Sequence, residues 1–309
     1  MGEGSGYGKV ILFNEHFVVY GIPAIASAIG SRTIAKVELS DGKGWSIRDE
    51  RPATPGYKEE KLDHQKDSTE RILKAAGIDT NITSLKIILG GDLKATSGVG
   101  ASAASCAAIA RALSHQFNLG LSEEKINEIA YEGEKGYHGT PSGIDNTAAT
   151  YGGLIWFKKG EPNIMERLTL KKPVEIVMGN TGVVANTKAA VAGVRERKEK
   201  EPKKYEKIFN EAKDLALEAR KALESNDFKA VGQYMNRNHE LLQGIEVSSK
   251  DLDFLVELAR KNGALGAKMT GGGLGGYMFA LTPGKEAQEK VAKAIEKEGF
   301  EALRTKIGV

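Results

Sequence analysis

Ser97-Gly98-Val99-Gly100-Ala101-Ser102-Ala103-Ala104 is the stretch whose reading decides the fold. It follows a β-rich run at 85–89 and a loop at 90–96, and it opens an Ala-rich segment at 101–113 that has the texture of a deeply packed helix. Glycines permit a tight turn and a close backbone approach. The first N–H groups of a helix lack partners and lie at the positive end of its dipole, so this arrangement suits a polyphosphate. Ser102, just inside the helix, is placed to set its hydroxyl on a metal or phosphate oxygen. No Gly-Lys-Ser/Thr follows, which excludes a Walker A loop. The His-Arg-Asp and Asp-Phe-Gly signatures of protein kinases are absent as well.

Two further places carry chemistry. The segment 134–146, from Glu134 through His138 to Asp145 and Asn146, combines carboxylates and a histidine with Gly and Pro. Phosphoryl transfer to an alcohol needs a metal against the phosphates and a carboxylate to take or orient the hydroxyl proton. Glu134 and Asp145 are residues of the right kind. The run Gly271-Gly272-Gly273-Leu274-Gly275-Gly276 satisfies Gly-x-Gly-x-x-Gly literally. A dinucleotide loop must open a helix, and this run leads into Tyr277-Met278-Phe279, a strand, so a glycine hairpin is expected.

Outward from these sites, 9–13 and 17–20 read as short strands separated by Asn14-Glu15-His16, and 34–39 and 85–89 as further strands. Helices are expected at 61–75, 101–113 and 122–133, the last with Ser122 as its N-cap, and a strand at 154–157. From about 171 the texture changes. A strand at 174–178 precedes a Lys/Glu/Ala-rich helical segment from Thr187 and helices at 203–224, 227–243 and 250–261. Strands at 266–269 and 277–281 flank the glycine run, and a helix at 284–298 and a strand at 301–306 complete the chain. β-rich elements precede helical ones, which is an α+β pattern with a boundary between about 160 and 173.

The bulk properties exclude several classes. The 309 residues are 40% apolar and 28% charged, with a net charge of +3, too mild for a nucleic-acid partner. The lysines at 198–207 alternate with glutamates and read as a solvated face. Cys106 is the one cysteine, so neither a disulfide nor a Cys-rich zinc site is available. The apolar stretch 10–29 is broken by Glu15, His16 and Pro23 and lacks the roughly 18 uncharged residues of a membrane span. It has no basic n-region ahead of it either. A cytoplasmic protein with no membrane role is expected.

Taken together, the three sites resemble the GHMP kinase superfamily, whose members act on galactose, homoserine, mevalonate and phosphomevalonate. The likeness runs from residue 8 to about 281. The run 8–21 is similar to the N-terminal motif of the mevalonate-directed branch, which usually has Gly where this chain has Asn14. The run 98–104 resembles the family phosphate loop, with Val99 and Ala101 as departures. Pro141-Ser142-Gly143-Ile144-Asp145 is the part most specific to that branch, and Thr181-Gly182 and Asn186-Thr187-Lys188 also match it.

The resemblance implies a two-domain α+β fold, with an N-terminal domain at 1–170, a C-terminal domain at 171–309 and the active site in the cleft between them. It implies ATP and Mg²⁺ as cofactors, mevalonate as the alcohol, a role in isoprenoid synthesis and a homodimer. Gly98, Val99, Gly100, Ala101, Ser102, Ala103 and Ala104 would cradle the phosphates. Ser102 and Glu134 would hold Mg²⁺. Asp145 would be the catalytic base, with Lys9 beside it, and Glu15, His16 and Thr187 would line the mevalonate site. Asn14 is expected to bear on the alcohol pocket, and 48–57 to contribute to the adenine pocket. Two alternatives stay open on the sequence: the same chemistry on another small alcohol, and a non-catalytic ligand sensor on the same fold.

Overall fold

The computed structural model describes residues 1–184 and 187–309. The chain runs through β1 (Gly2–Phe13), a 3-10 turn (Phe17–Tyr20), β2 (Ala24–Leu39), β3 (Gly44–Asp49), α1 (Tyr57–Glu60), α2 (Leu62–Ala75), β4 (Ser84–Gly91), α3 (Ala101–Gln116), α4 (Glu123–His138) and α5 (Ile144–Tyr151). It continues through β5 (Leu154–Lys158), β6 (Ile164–Leu168), β7 (Val174–Asn180), α6 (Thr187–Lys200), α7 (Pro202–Ser225), α8 (Phe228–Gly244) and α9 (Lys250–Lys261). The last elements are β8 (Gly266–Thr270), β9 (Tyr277–Leu281), α10 (Lys285–Lys297) and β10 (Glu301–Ile307). Two compact units form: Met1–Lys9 with Ala28–Gly152, and Val10–Ser27 with Gly153–Val309. Residues 154–157 fall in the second unit because they pair with Ala24–Ser27 of β2.

In the first unit, β3 runs parallel to β4 and β2 antiparallel to it. Alternation puts Ala35 opposite Leu89 and Val37 opposite Ile87, and these side chains are buried with Ile72, Ile126, Ile129 and the alanines of α3. The glycines of β1 explain how α3 is placed. A Cβ on Gly6, Gly4 or Gly2 would lie 2.2, 2.5 or 2.2 Å from the carbonyl oxygens of Ala104, Ala108 and Ala112 respectively. Four helical residues rise about 6 Å and two strand residues nearly 7 Å, so each alternate glycine meets the next turn. The two elements run in opposite directions, which brings the Lys9 end of β1 to the N-terminus of α3.

In the second unit, β10, β7, β9 and β8 pair antiparallel in that order. Helix α8 lies directly on β8: a Cβ on Gly266 would be 2.1 Å from the Gly232 carbonyl oxygen. Phe17 packs edge-on against Phe209, with centroids 5.2 Å apart.

Four local expectations need correction. The run 17–20 is a 3-10 turn, started by the Val18 N–H donating to the Asn14 carbonyl and ended at Gly21 with φ +78°. Helix α4 does not stop at Gly133 but continues to His138, because Gly133 and Gly136 serve packing. A Cβ on Gly136 would lie 2.4 Å from the Ser68 backbone nitrogen on α2. Strand β2 starts ten residues earlier than its most β-branched stretch, and 144–151 is helical rather than a shaped loop. The expected N-cap is present: Ser122 Oγ accepts from the Lys125 N–H at 3.3 Å. Among the described residues no helix is long and apolar enough to cross a membrane.

Candidate active site

In the first unit the candidate residues converge on the start of α3. The Lys9 N–H donates to the Val99 carbonyl at 2.8 Å. Gly100 caps α3 with φ +71°, and a Cβ there would be 2.6 Å from Lys9 Cγ. Only glycine lets the loop close on this lysine. Lys9 Nζ then lies 3.1 Å from Asp145 Oδ1, with side-chain exposures of 7% and 29%. Asp145 sits in the first turn of α5, where the helix dipole favours its negative charge. A nearly buried cation therefore faces a carboxylate that is still open enough to meet a ligand.

Glu134, on α4, is 1% exposed. Burial, and then the charge of Asp145, push its carboxyl up to about 8, against the Ser102 hydroxyl that donates to it and the charge of Lys9. His138 Nε2 lies 3.4 Å from Ser102 Oγ and 3.8 Å from Glu134 Oε2. Partial desolvation lowers the His138 imidazole despite Asp145 nearby. Among the described residues no cluster of three or more His, Cys, Asp or Glu side chains is arranged to hold a metal alone. The donor pair of Ser102 hydroxyl and Glu134 carboxylate nevertheless fits Mg²⁺, a hard ion that takes one or two protein oxygens and completes its shell with phosphates and water. A cation at this point would also offset the burial that disfavours the Glu134 anion.

Beside Ala101 and Ser102 lies a pocket lined by Asp49, Arg51, Tyr57, Lys58, Lys61, Gln65 and Tyr137. Arg51 is 4% exposed and holds Asp49 through Nε at 2.9 Å and Nη2 at 2.6 Å, while Nη1 donates to the Ala101 carbonyl at 3.1 Å. The expected stretch 48–57 thus supplies part of this wall. Lys58, Lys61, Gln65 and Tyr137 were not legible, since nothing local marks a polar helix residue as lining a pocket.

The second unit gathers the other group. His16 Nε2 is 3.0 Å from the Gly272 carbonyl. Burial pushes the imidazole down to about 4, helped by the charges of Lys268 and Arg197 and opposed by that hydrogen bond. The ring is therefore neutral, with its proton on Nε2 donating to Gly272. Thr187 packs against the same glycine, whose Cβ would fall 2.1 Å from Thr187 Oγ1. Glu15 pairs with Lys268 of β8 at 2.5 Å, and both side chains are essentially inaccessible. The Thr270 hydroxyl bridges the Ile11 N–H and carbonyl at 3.1 Å each, tying β8 to β1 within this unit. Lys268 escaped the sequence reading, although a lysine inside an apolar strand needs a partner charge. Asn186 lies outside the described residues, as does the side chain of Lys188.

Asn14 does not project into a pocket. Its amide Nδ2 donates to the carbonyls of Pro23 and Ala212, both at 2.8 Å, and its Oδ1 accepts from Asn238 Nδ2 at 2.8 Å. The residue adopts φ +71°, a left-handed conformation that Asn tolerates better than most residues.

Residues 66–153 match the GHMP kinases N terminal domain and residues 219–302 the GHMP kinases C terminal region. The mevalonate kinase of Pyrococcus abyssi is 37% identical, over 98% of this chain and 94% of its own length. That of Arabidopsis thaliana is 29% identical, over 97% and 96%. The crystal structure of L. major mevalonate kinase in complex with R-mevalonate superimposes with a TM-score of 0.95 at 37% identity, covering 99% of this chain and 96% of that one. On the motifs, the fold and these full-length likenesses, this chain belongs to the GHMP kinases.

Proposed function

We propose that the chain phosphorylates the primary alcohol of mevalonate with ATP, giving 5-phosphomevalonate for isoprenoid synthesis. The observation that carries the chemistry is the Lys9–Asp145 pair at 3.1 Å beside the glycine-capped start of α3. The choice of alcohol is supported by the full-length likeness to mevalonate kinases, one of them with R-mevalonate bound.

The first N–H groups of α3, reached over Gly98, Val99 and Gly100 and continuing through Ala101, Ser102, Ala103 and Ala104, cradle the phosphates of ATP. Arg51 fixes the first carbonyl of that helix, and the pocket from Asp49 to Tyr137 takes the nucleoside. Ser102 and Glu134 would hold Mg²⁺, which would offset the negative charge of the phosphates. Asp145 accepts the proton of the attacking hydroxyl. Lys9 balances that carboxylate before the reaction and the oxygens of the moving phosphoryl group during it. Glu15, His16 and Thr187 line the mevalonate site, with the neutral His16 held on Gly272. The division into domains at 1–170 and 171–309, a cytoplasmic location and a homodimer belong to the same reading.

The test is ADP release from purified protein with Mg-ATP and R-mevalonate, run beside galactose, homoserine and phosphomevalonate. Clear preference for mevalonate supports the reading. Preference for another alcohol keeps the phosphoryl-transfer chemistry and overturns the substrate, and no turnover with any of them favours a ligand sensor.

A further inference from the structure

Asn14 and Asn238 form a closed amide pair in the interior of the second unit, both with no solvent exposure. Asn238 Nδ2 donates to Asn14 Oδ1 at 2.8 Å, and the Asn14 N–H returns a bond to Asn238 Oδ1 at 3.3 Å. The two protons of Asn14 Nδ2 go to Pro23, ahead of β2, and Ala212, on α7. Every polar atom of the Asn14 side chain is therefore used, on three separate segments. Burying an amide is costly unless all its bonds are made, and a fully satisfied network specifies one arrangement. What Asn14 fixes is the turn that carries Glu15 and His16.

Helix α8 gives this pair its reach. Asn238 is followed by His239, whose Nδ1 accepts from the Met269 N–H at 3.3 Å while Nε2 meets Asp253 at 3.0 Å. Two residues earlier, Asn236 Oδ1 accepts from the Ala267 N–H at 3.0 Å. One helix thus grips β8 on both sides of Lys268 and grips the turn just before Glu15. The register between Glu15 and Lys268, and between His16 and Gly272, is set through α8.

We propose that Asn14 and Asn238 are positioning residues for the alcohol site, holding Glu15 and His16 so that affinity for the alcohol depends on an amide pair that does not touch it. The proposal rests on the reading that Glu15 and His16 line that site. Asn14→Gly is the sharpest variant, because glycine accepts φ +71° without strain and only the amide is lost. In steady-state assays we expect the KM for mevalonate to rise about tenfold, the KM for ATP to stay within about twofold and kcat to change less than about threefold, the pattern of lost binding rather than lost chemistry. Asn238→Ala should do the same from the other side, and it carries the test if Asn14→Gly does not fold. Val291→Ala, a buried residue of α10, lowers stability without reaching the turn and should leave both KM values unchanged.

A mevalonate KM unaltered in Asn14→Gly and Asn238→Ala, or raised equally in Val291→Ala, overturns the proposal. His16→Ala separates the two levels. If it leaves the mevalonate KM unchanged, the reading of the site fails and the proposal with it. If it raises that KM while the amide variants do not, only the positioning role fails.

Discussion

Replacing Gly100 with alanine asks the most of the site with the fewest atoms. The added Cβ would meet Lys9 Cγ at 2.6 Å and the Lys9 backbone nitrogen at 3.3 Å. The left-handed backbone at φ +71° costs an alanine about 1–2 kcal/mol. Relieving the contact adds a further 1–3 kcal/mol, roughly the range for overpacking, since Cγ lies mid-stem and Nζ is pinned 3.1 Å from Asp145. A loss of about 2–5 kcal/mol lowers Tm by roughly 3–8 °C for a chain this size. The larger effect falls on rate. A displacement of about 1 Å at the reacting groups costs on the order of 100-fold, so kcat for ADP release should fall at least that far. Gly77→Ala is the matched control, with φ +74° and nothing within 4 Å of the new Cβ. It should show the backbone cost alone, a few degrees in Tm and unchanged kcat. Equal kcat in the two variants would refute the argument that Gly100 is there to admit Lys9.

The unevenness of what the sequence revealed has physical causes. The glycine loop, the helix it opens and the hairpin around 271–276 were legible because glycine clusters and β-branched runs act locally. Asp145 stood out as a carboxylate in a segment shaped by Gly and Pro, Lys9 came in with the family resemblance, and the two do meet. The alternating glycines of β1 say nothing until the carbonyls of α3 are laid against them. Gly133 and Gly136 look like a helix stop for the same reason, although their lack of a side chain lets α2 approach. Asn14 was misjudged in direction: a side chain where the family usually has glycine suggested the alcohol pocket, whereas its partners, Ala212 and Asn238, are some 200 residues away. The pocket wall of Lys58, Lys61, Gln65 and Tyr137 is equally a product of tertiary packing.

Two further outcomes are expected. Lys268→Met strands the Glu15 carboxylate without its cation in a fully buried place, and should cost roughly 3–5 kcal/mol in denaturant unfolding, with Glu15→Leu in addition restoring most of it. The buried His16 and His239 are both depressed to about 4. The unfolded chain therefore binds more protons, and stability is complete above the ordinary value near 6.5 and lost as pH falls toward 4. Each histidine contributes on the order of 3 kcal/mol at full development; unfolding curves at pH 7 and pH 5 should show the loss, and His239→Gln should reduce it. A flat dependence would contradict the burial of both rings as neutral groups.

The most direct test of the account is kcat for mevalonate-dependent ADP release in Asp145→Asn beside the unaltered protein, with ATP affinity measured on both. Loss of a positioned proton acceptor should lower kcat by about 10²- to 10⁴-fold, while ATP affinity stays within a few-fold because the α3 cradle is intact. A kcat within about threefold of the unaltered protein, against that same range, would remove Asp145 from the chemistry and contradict the account.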